Sequence, residues 1–226
     1  MSYSIEIYEE FTKGTSASVV ILGDTSYSNC CVDELAGKRW GVDAVIHFGN
    51  ACLSESAGNV KVFYLFGDVP CPIVNNNLDD IRKRILDCIP VEGPILLFYD
   101  FRYYNTARKL ADCLKSKGVN LVFSEPALPS RSSFSDSSTL KHAGRLLHYN
   151  GECKPPQCLL YLGECDAAFY SVLISLKDAY TIQTLTVNPA TGEVAPASKS
   201  ASSFLRRRYY LMERVKSAKR IGILVW

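Results

Sequence analysis

Two cysteine-bearing segments hold the residues best suited to chemistry. They are Leu22-Gly-Asp-Thr-Ser-Tyr-Ser-Asn-Cys30-Cys31-Val-Asp-Glu34 and His47-Phe-Gly-Asn-Ala-Cys52-Leu53. Each follows a hydrophobic run and passes into small, turn-forming residues, so each delivers a thiol where a strand is expected to stop. In an open parallel sheet, ligands collect in the crevice beyond the carboxyl ends of the strands. Cys30 and Cys52 lie one strand-helix-strand unit apart and can converge there without being close in sequence. Two soft thiolates meeting at such a place suggest iron–sulfur or zinc binding.

The elements that must position them alternate. Val19 to Gly23 and Val42 to Phe48 read as buried parallel strands, with a helix between Cys31 and Trp40 whose first turn carries Asp33 and Glu34. Val60 to Phe66 is a third strand. Leu78, Ile81 and Ile85 fall on one face of a helix over Leu78 to Leu86. Pro94 to Tyr99 is a fourth strand, Thr106 to Lys117 an amphipathic helix closed by Gly118, and Val119 to Phe123 a fifth strand. The Pro- and Ser-rich stretch from Ser124 to Thr139 reads as a linker or loop. Beyond it, strands are expected at Gln157 to Leu162 and Thr181 to Val187, a turn at 189–192, and a long helix over Ser202 to Arg220. Strands alternating with helices imply an α/β fold of two consecutive parallel-sheet domains. The expected division is 1–125 for the first domain, 126–140 for the linker and 141–226 for the second. Ile221 to Val225 begins a further strand, and the chain reads as stopping inside it at Trp226.

Composition narrows the function classes. Nine cysteines in 226 residues are many, yet the acidic start Met1-Ser-Tyr-Ser-Ile-Glu-Ile-Tyr-Glu-Glu lacks the apolar segment of a secretory signal. Reduced thiols in a cytoplasmic protein are therefore expected. A net charge of +2 gives no bulk attraction to nucleic acid or membrane, and no apolar run approaches the roughly 20 residues that span a bilayer.

The same blocks carry a resemblance. Gly23-Asp-Thr-Ser-Tyr-x-x-Cys30-Cys31-Val-Asp-Glu34, Gly49-x-Ala-Cys52-Leu-Ser54, and Arg206-Arg-Arg-Tyr-Tyr210 followed by Ile221-Gly-Ile-Leu-Val225 resemble the subunit 2 family of 2-(3-amino-3-carboxypropyl)histidine synthase, which performs the first step of diphthamide synthesis. The resemblance runs from about residue 18 to the end of the chain. It implies a [4Fe–4S] cluster, with Cys30 matching the family's first-domain ligand and Cys52 a cysteine characteristic of subunit 2. It further implies S-adenosylmethionine bound mainly by a catalytic partner subunit, elongation factor 2 as protein substrate, an electron-donor protein, and a third domain beyond the present chain. In the catalytic subunit the second domain supplies a cysteine where Tyr149 aligns here. Tyrosine is a poor cluster ligand, which argues against independent radical chemistry and for an accessory subunit. A cluster-free subunit that stabilises its partner is the alternative, and an unrelated α/β protein with a zinc or redox thiol site is another.

The remaining candidates have ordinary readings beside their functional ones. Cys31 is expected to point away from Cys30, as neighbours at a helix start do. Cys71, Cys88, Cys113 and Cys158 read as packing residues, and Cys153 and Cys165 border a strand without a matching ligand pair. His47 reads as packed or hydrogen-bonded at a strand end. Asp24 and Asp33 suit capping and turns as well as a ligand. The basic run Arg206 to Arg208 with Arg214, Lys216, Lys219 and Arg220 reads first as the solvated face of a helix. No Gly-x-Ser-x-Gly elbow, Walker A or dinucleotide fingerprint occurs.

Overall fold

Ile95–Tyr99 and Cys158–Leu162 are apolar at every position, and all ten of these residues are buried. Such continuous runs belong to parallel strands covered on both faces. In the computed structural model these two strands, β3 and β7, lie side by side in parallel register at the centre of a seven-stranded sheet. The structure describes residues 3–23, 30–53, 60–72, 78–89, 93–128, 139–149, 154–179, 182–220 and 222.

In chain order the elements are α1 (Ser4–Gly14), α2 (Glu34–Trp40), β1 (Ala44–Phe48), β2 (Lys61–Leu65), α3 (Leu78–Cys88), β3, α4 (Tyr104–Lys115), β4 (Leu121–Pro126), β5 (Thr139–His142), β6 (Arg145–His148), β7, α5 (Ala167–Ala179), β8 (Gln183–Val187), β9 (Val194–Pro196) and α6 (Ser198–Lys216). The large sheet runs β5-β6-β4-β3-β7-β8-β9, and β1 and β2 form a separate parallel pair. Alternate residues of β3 point to opposite faces. Ile95, Leu97 and Tyr99 join Ile81 and Ile85 of α3 and Leu110 and Leu114 of α4 in one core. Leu96 and Phe98 join Phe169, Leu173 and Leu176 of α5 in the other. Each such leucine or isoleucine contributes about 1.5–3 kcal/mol by burial.

Mixed α/β architecture is thus what the chain adopts, and the sheet corrects three expectations. It is not purely parallel: β6 runs antiparallel to β4 and β5, and β9 antiparallel to β8. The division at 126–140 does not coincide with a sheet boundary, because β3 and β4 before it share the sheet with β7 and β8 after it. Residues 18–23 form no strand. Val20 and Ile21 there are 43% and 46% exposed, so this apolar run lacks the burial a central parallel strand requires. The expected terminal strand lies outside the described residues.

Candidate metal centre

Cys30 and Cys31 sit in a turn just before α2. Asp33 caps that helix, its Oδ1 accepting from the Ala36 backbone N–H at 2.8 Å, and so takes the capping role rather than a ligand's. Gly37 lets the helix lie close on β1, since a Cβ there would meet Val45 Cγ2 at 2.8 Å. Cys52 arrives from the other side, on the loop that leaves β1. The Cys52 N–H donates to the Cys30 carbonyl at 2.9 Å, which ties the two loops together. Asn50 in the same loop braces it against the large sheet, its Oδ1 accepting from the backbone N–H of Ala51 at 3.1 Å and of Phe101 at 3.4 Å.

The result is a three-thiol cluster. Cys31 Sγ lies 3.6 Å from Cys52 Sγ and 3.9 Å from Cys30 Sγ, and all three sulfurs fall within 4.8 Å of one another. Cys30 is buried and the other two are half-buried. Cys30 and Cys52 were the expected pair; Cys31 corrects the expectation that it would point away. Both cysteines precede the first helical residue, so the divergence of neighbouring side chains on a helix does not apply. Burial, then Cys52, then Cys30 push the Cys31 thiol up to about 12. A third thiolate is costly beside two others until a cation offsets the charge.

Sequence reasoning missed Arg145 and the turn that carries it. β5 and β6 are joined by Ala143 and Gly144 at φ +49° and +70°, the signature of a tight type I′ hairpin turn. A Cβ on Gly144 would stand 2.7 Å from the Cys52 carbonyl oxygen and from Leu53 Cβ, so the turn rests on the cysteine loop. A cleft of about 290 Å³ opens between them, bordered by Cys52, the β5–β6 hairpin and α5. Arg145 is only 4% exposed. Its Nη2 donates to the Tyr99 carbonyl at 2.6 Å, and its guanidinium lies 3.5 Å above the Phe101 ring.

The other candidates separate cleanly. His47 Nε2 is 3.0 Å from the Asn50 carbonyl and His142 Nε2 is 2.9 Å from that of Ser175, so both are hydrogen-bonded residues of the frame. Tyr149 is buried among Leu96, Phe98 and Phe169. Cys71 donates to the Pro189 carbonyl at 3.1 Å and Cys158 is fully buried. Cys88 is exposed rather than packed, and Cys113 accepts from Arg82 at 3.6 Å. Cys165 is exposed. Arg206 to Arg208, Arg214, Lys216, Lys219 and Arg220 are all exposed. Cys153 and Asp24 lie outside the described residues.

The fold is mixed α/β, and the loop after β1 and the turn before α2 bring together three thiols of the kind that could hold a soft metal ion. The whole chain, residues 1–226, matches the family described as "Putative diphthamide synthesis protein", and it belongs to that family. It is 32% identical over 218 residues to 2-(3-amino-3-carboxypropyl)histidine synthase subunit 2 of Schizosaccharomyces pombe, covering 95% of this chain and 41% of that protein. The protein of the same name from Gallus gallus is 29% identical over 212 residues, covering 93% and 43% respectively. The chain therefore spans less than half the length of these curated relatives. The fold is similar to that of Dph2 from Pyrococcus horikoshii, determined with a 4Fe-4S cluster, at a TM-score of 0.60 and 16% identity over 96% of this chain and 59% of that one. Among the described residues no helix is long and apolar enough to cross a membrane.

Proposed function

We propose that this chain is an accessory iron–sulfur subunit of the complex that transfers a 3-amino-3-carboxypropyl group from S-adenosylmethionine to a histidine of translation elongation factor 2. In this reading it works in the cytoplasm as a heterodimer with the catalytic subunit, which binds S-adenosylmethionine. It accepts electrons from a donor protein on the partner's behalf. The single observation that carries the proposal is the convergence of Cys30, Cys31 and Cys52.

The donor set fits a [4Fe–4S] group in kind and number. It offers three soft sulfurs, one of them buried, on loops tied to each other by a backbone hydrogen bond. Bound there, such a group would supply one-electron transfer. The protein's share is to hold the sulfurs together and to limit access of water.

The sulfur spacing favours a second reading. A single tetrahedral zinc with bonds of about 2.3 Å to sulfur sets neighbouring sulfurs about 3.8 Å apart, close to the 3.6 and 3.9 Å seen here. A four-iron group seats each thiolate on a different iron and requires the sulfurs to spread.

Co-expression with the catalytic subunit, anaerobic purification, and assay of iron, zinc and acid-labile sulfide decide between them. The accessory reading expects iron and sulfide beyond the partner's own, lost in Cys30→Ala, Cys31→Ala and Cys52→Ala. Zinc without sulfide supports the single-ion reading. Metal unchanged by all three substitutions leaves a cluster-free structural subunit and overturns both.

A further inference from the structure

Cys31 and Cys52 are placed to react with each other as well as with a metal. Their sulfurs lie 3.6 Å apart, and closing to a disulfide bond of about 2.05 Å asks for a relative shift of about 1.5 Å. The backbone favours the same pairing. The Cys52 N–H donates to the carbonyl of Cys30, the residue before Cys31. That is the bond by which facing residues of parallel strands are joined, so it sets Cys31 and Cys52 opposite each other. Facing residues on adjacent strands stand about 4.8 Å apart, inside the roughly 4.4–6.8 Å range of Cα separations that disulfides bridge.

Cys30 is the odd thiol out. Adjacent residues have Cα atoms about 3.8 Å apart, short of that range, so Cys30 and Cys31 do not pair without distortion. Cys30 is also buried, whereas Cys31 and Cys52 are half-buried and Cys52 borders an open cleft. A thiol–disulfide reagent therefore reaches the Cys31–Cys52 pair before it reaches Cys30. Burial slows the ionisation of these thiols and hence the rate of exchange, while geometry sets which pair ends up linked.

We propose that Cys31 and Cys52 form a reversible disulfide that switches off metal uptake when the surrounding glutathione pool turns oxidising. One thiolate attacks glutathione disulfide, forming a mixed disulfide and releasing one glutathione. The second thiolate then displaces the other glutathione and closes the Cys31–Cys52 bond. Across both steps the two thiols give up two electrons and two protons, and one glutathione disulfide becomes two glutathione molecules. A dithiol reductant reverses the reaction. Once the pair is linked, Cys30 is the only thiolate left in the cluster, and one sulfur is too few for a tetrahedral zinc or a four-iron group. Reducing compartments keep such bonds transient, which is the behaviour of a redox sensor. The inference goes beyond the accessory iron–sulfur reading: it rests on the positions of the thiols and holds whichever metal they take.

The reduced, metal-free full chain is equilibrated anaerobically with oxidised glutathione, quenched in acid, alkylated, and digested for peptide mass spectrometry. The expected product is a Cys31–Cys52 linkage with Cys30 carrying the alkyl label, the two neighbours being told apart by fragmentation between them. Zinc affinity of the oxidised chain should fall by at least about 100-fold, since two direct ligands are lost where even outer residues cost 10–100-fold. Dithiothreitol should restore it. Cys31 and Cys52 left free or stably glutathionylated, a predominant linkage to Cys30 or to any other cysteine, or equal zinc affinity in the reduced and oxidised chains would each overturn the proposal. Any of these would leave the iron and sulfide assay untouched, and a chain that the iron assay finds empty could still close the disulfide.

Discussion

The carbonyl oxygen of Cys52 lies where a side chain on Gly144 would have to go: a Cβ built there stands 2.7 Å away. A hairpin of the large sheet and a loop of the small one meet backbone to backbone at that point. The position of Cys52 is therefore set from two directions, by Cys30 through a hydrogen bond and by Gly144 through contact.

Gly144→Ala should thus cost more than backbone strain alone. Its φ of +70° carries a penalty of roughly 1–2 kcal/mol for an L side chain, and the clash with Cys52 adds to it. Gly118, at φ +81° with nothing within 4 Å of a Cβ, is the control that carries only the backbone cost. Thermal melting should show a larger drop for Gly144→Ala than for Gly118→Ala, and metal content should fall only in the former.

Cys31→Ala should reduce metal affinity as much as Cys30→Ala or Cys52→Ala. Even residues behind the ligands cost about 10–100-fold when removed, so a direct ligand should cost at least that. Titration with a competing chelator measures it. Retention of wild-type affinity in Cys31→Ala would return the site to two cysteines.

Asp33→Ala should destabilise the chain by about 1 kcal/mol through loss of the α2 cap, while Asp33→Ser keeps most of it. Chemical denaturation reads this change. The metal-to-protein ratio of the Ser variant should equal that of wild type, because the carboxylate is engaged by the Ala36 N–H.

Cys158 should make the metal-free chain sensitive to alkali. Burial in β7 raises its thiol from 9.0 to about 11. The unfolded chain therefore releases this proton first, and stability present below pH 9 is lost as the pH climbs toward 11. A two-unit difference corresponds to about 2–3 kcal/mol. Melting temperature against pH should fall less steeply between 9 and 11 in Cys158→Ala, after allowance for that variant's lower starting stability.

Periodicity made much of the framework legible. The apolar runs at β3 and β7, the Ile81 and Ile85 face of α3 and the amphipathic α4 lie where local spacing places them, because their burial patterns repeat within a few residues. The β5–β6 hairpin was not legible. Its type I′ turn is built on Ala143-Gly144 in place of the Asn-Gly or Asp-Gly that announces such turns, and its strands are only four residues each. Val19 to Leu22 shows the opposite error: a strand-like sequence that pairs with no strand among the described residues.

The sequence by itself determined the chemistry available: soft thiols at Cys30, Cys31 and Cys52, and the family to which their surrounding blocks belong. Only the tertiary structure decided that Cys31 joins the pair, that Gly144 braces Cys52, and that Arg145 is buried against the Phe101 ring and the Tyr99 carbonyl. Residue type is a local property that spacing can reveal. Which side chains converge depends on separate segments of the chain meeting in space, and a buried charge exists only once the surrounding core has closed over it.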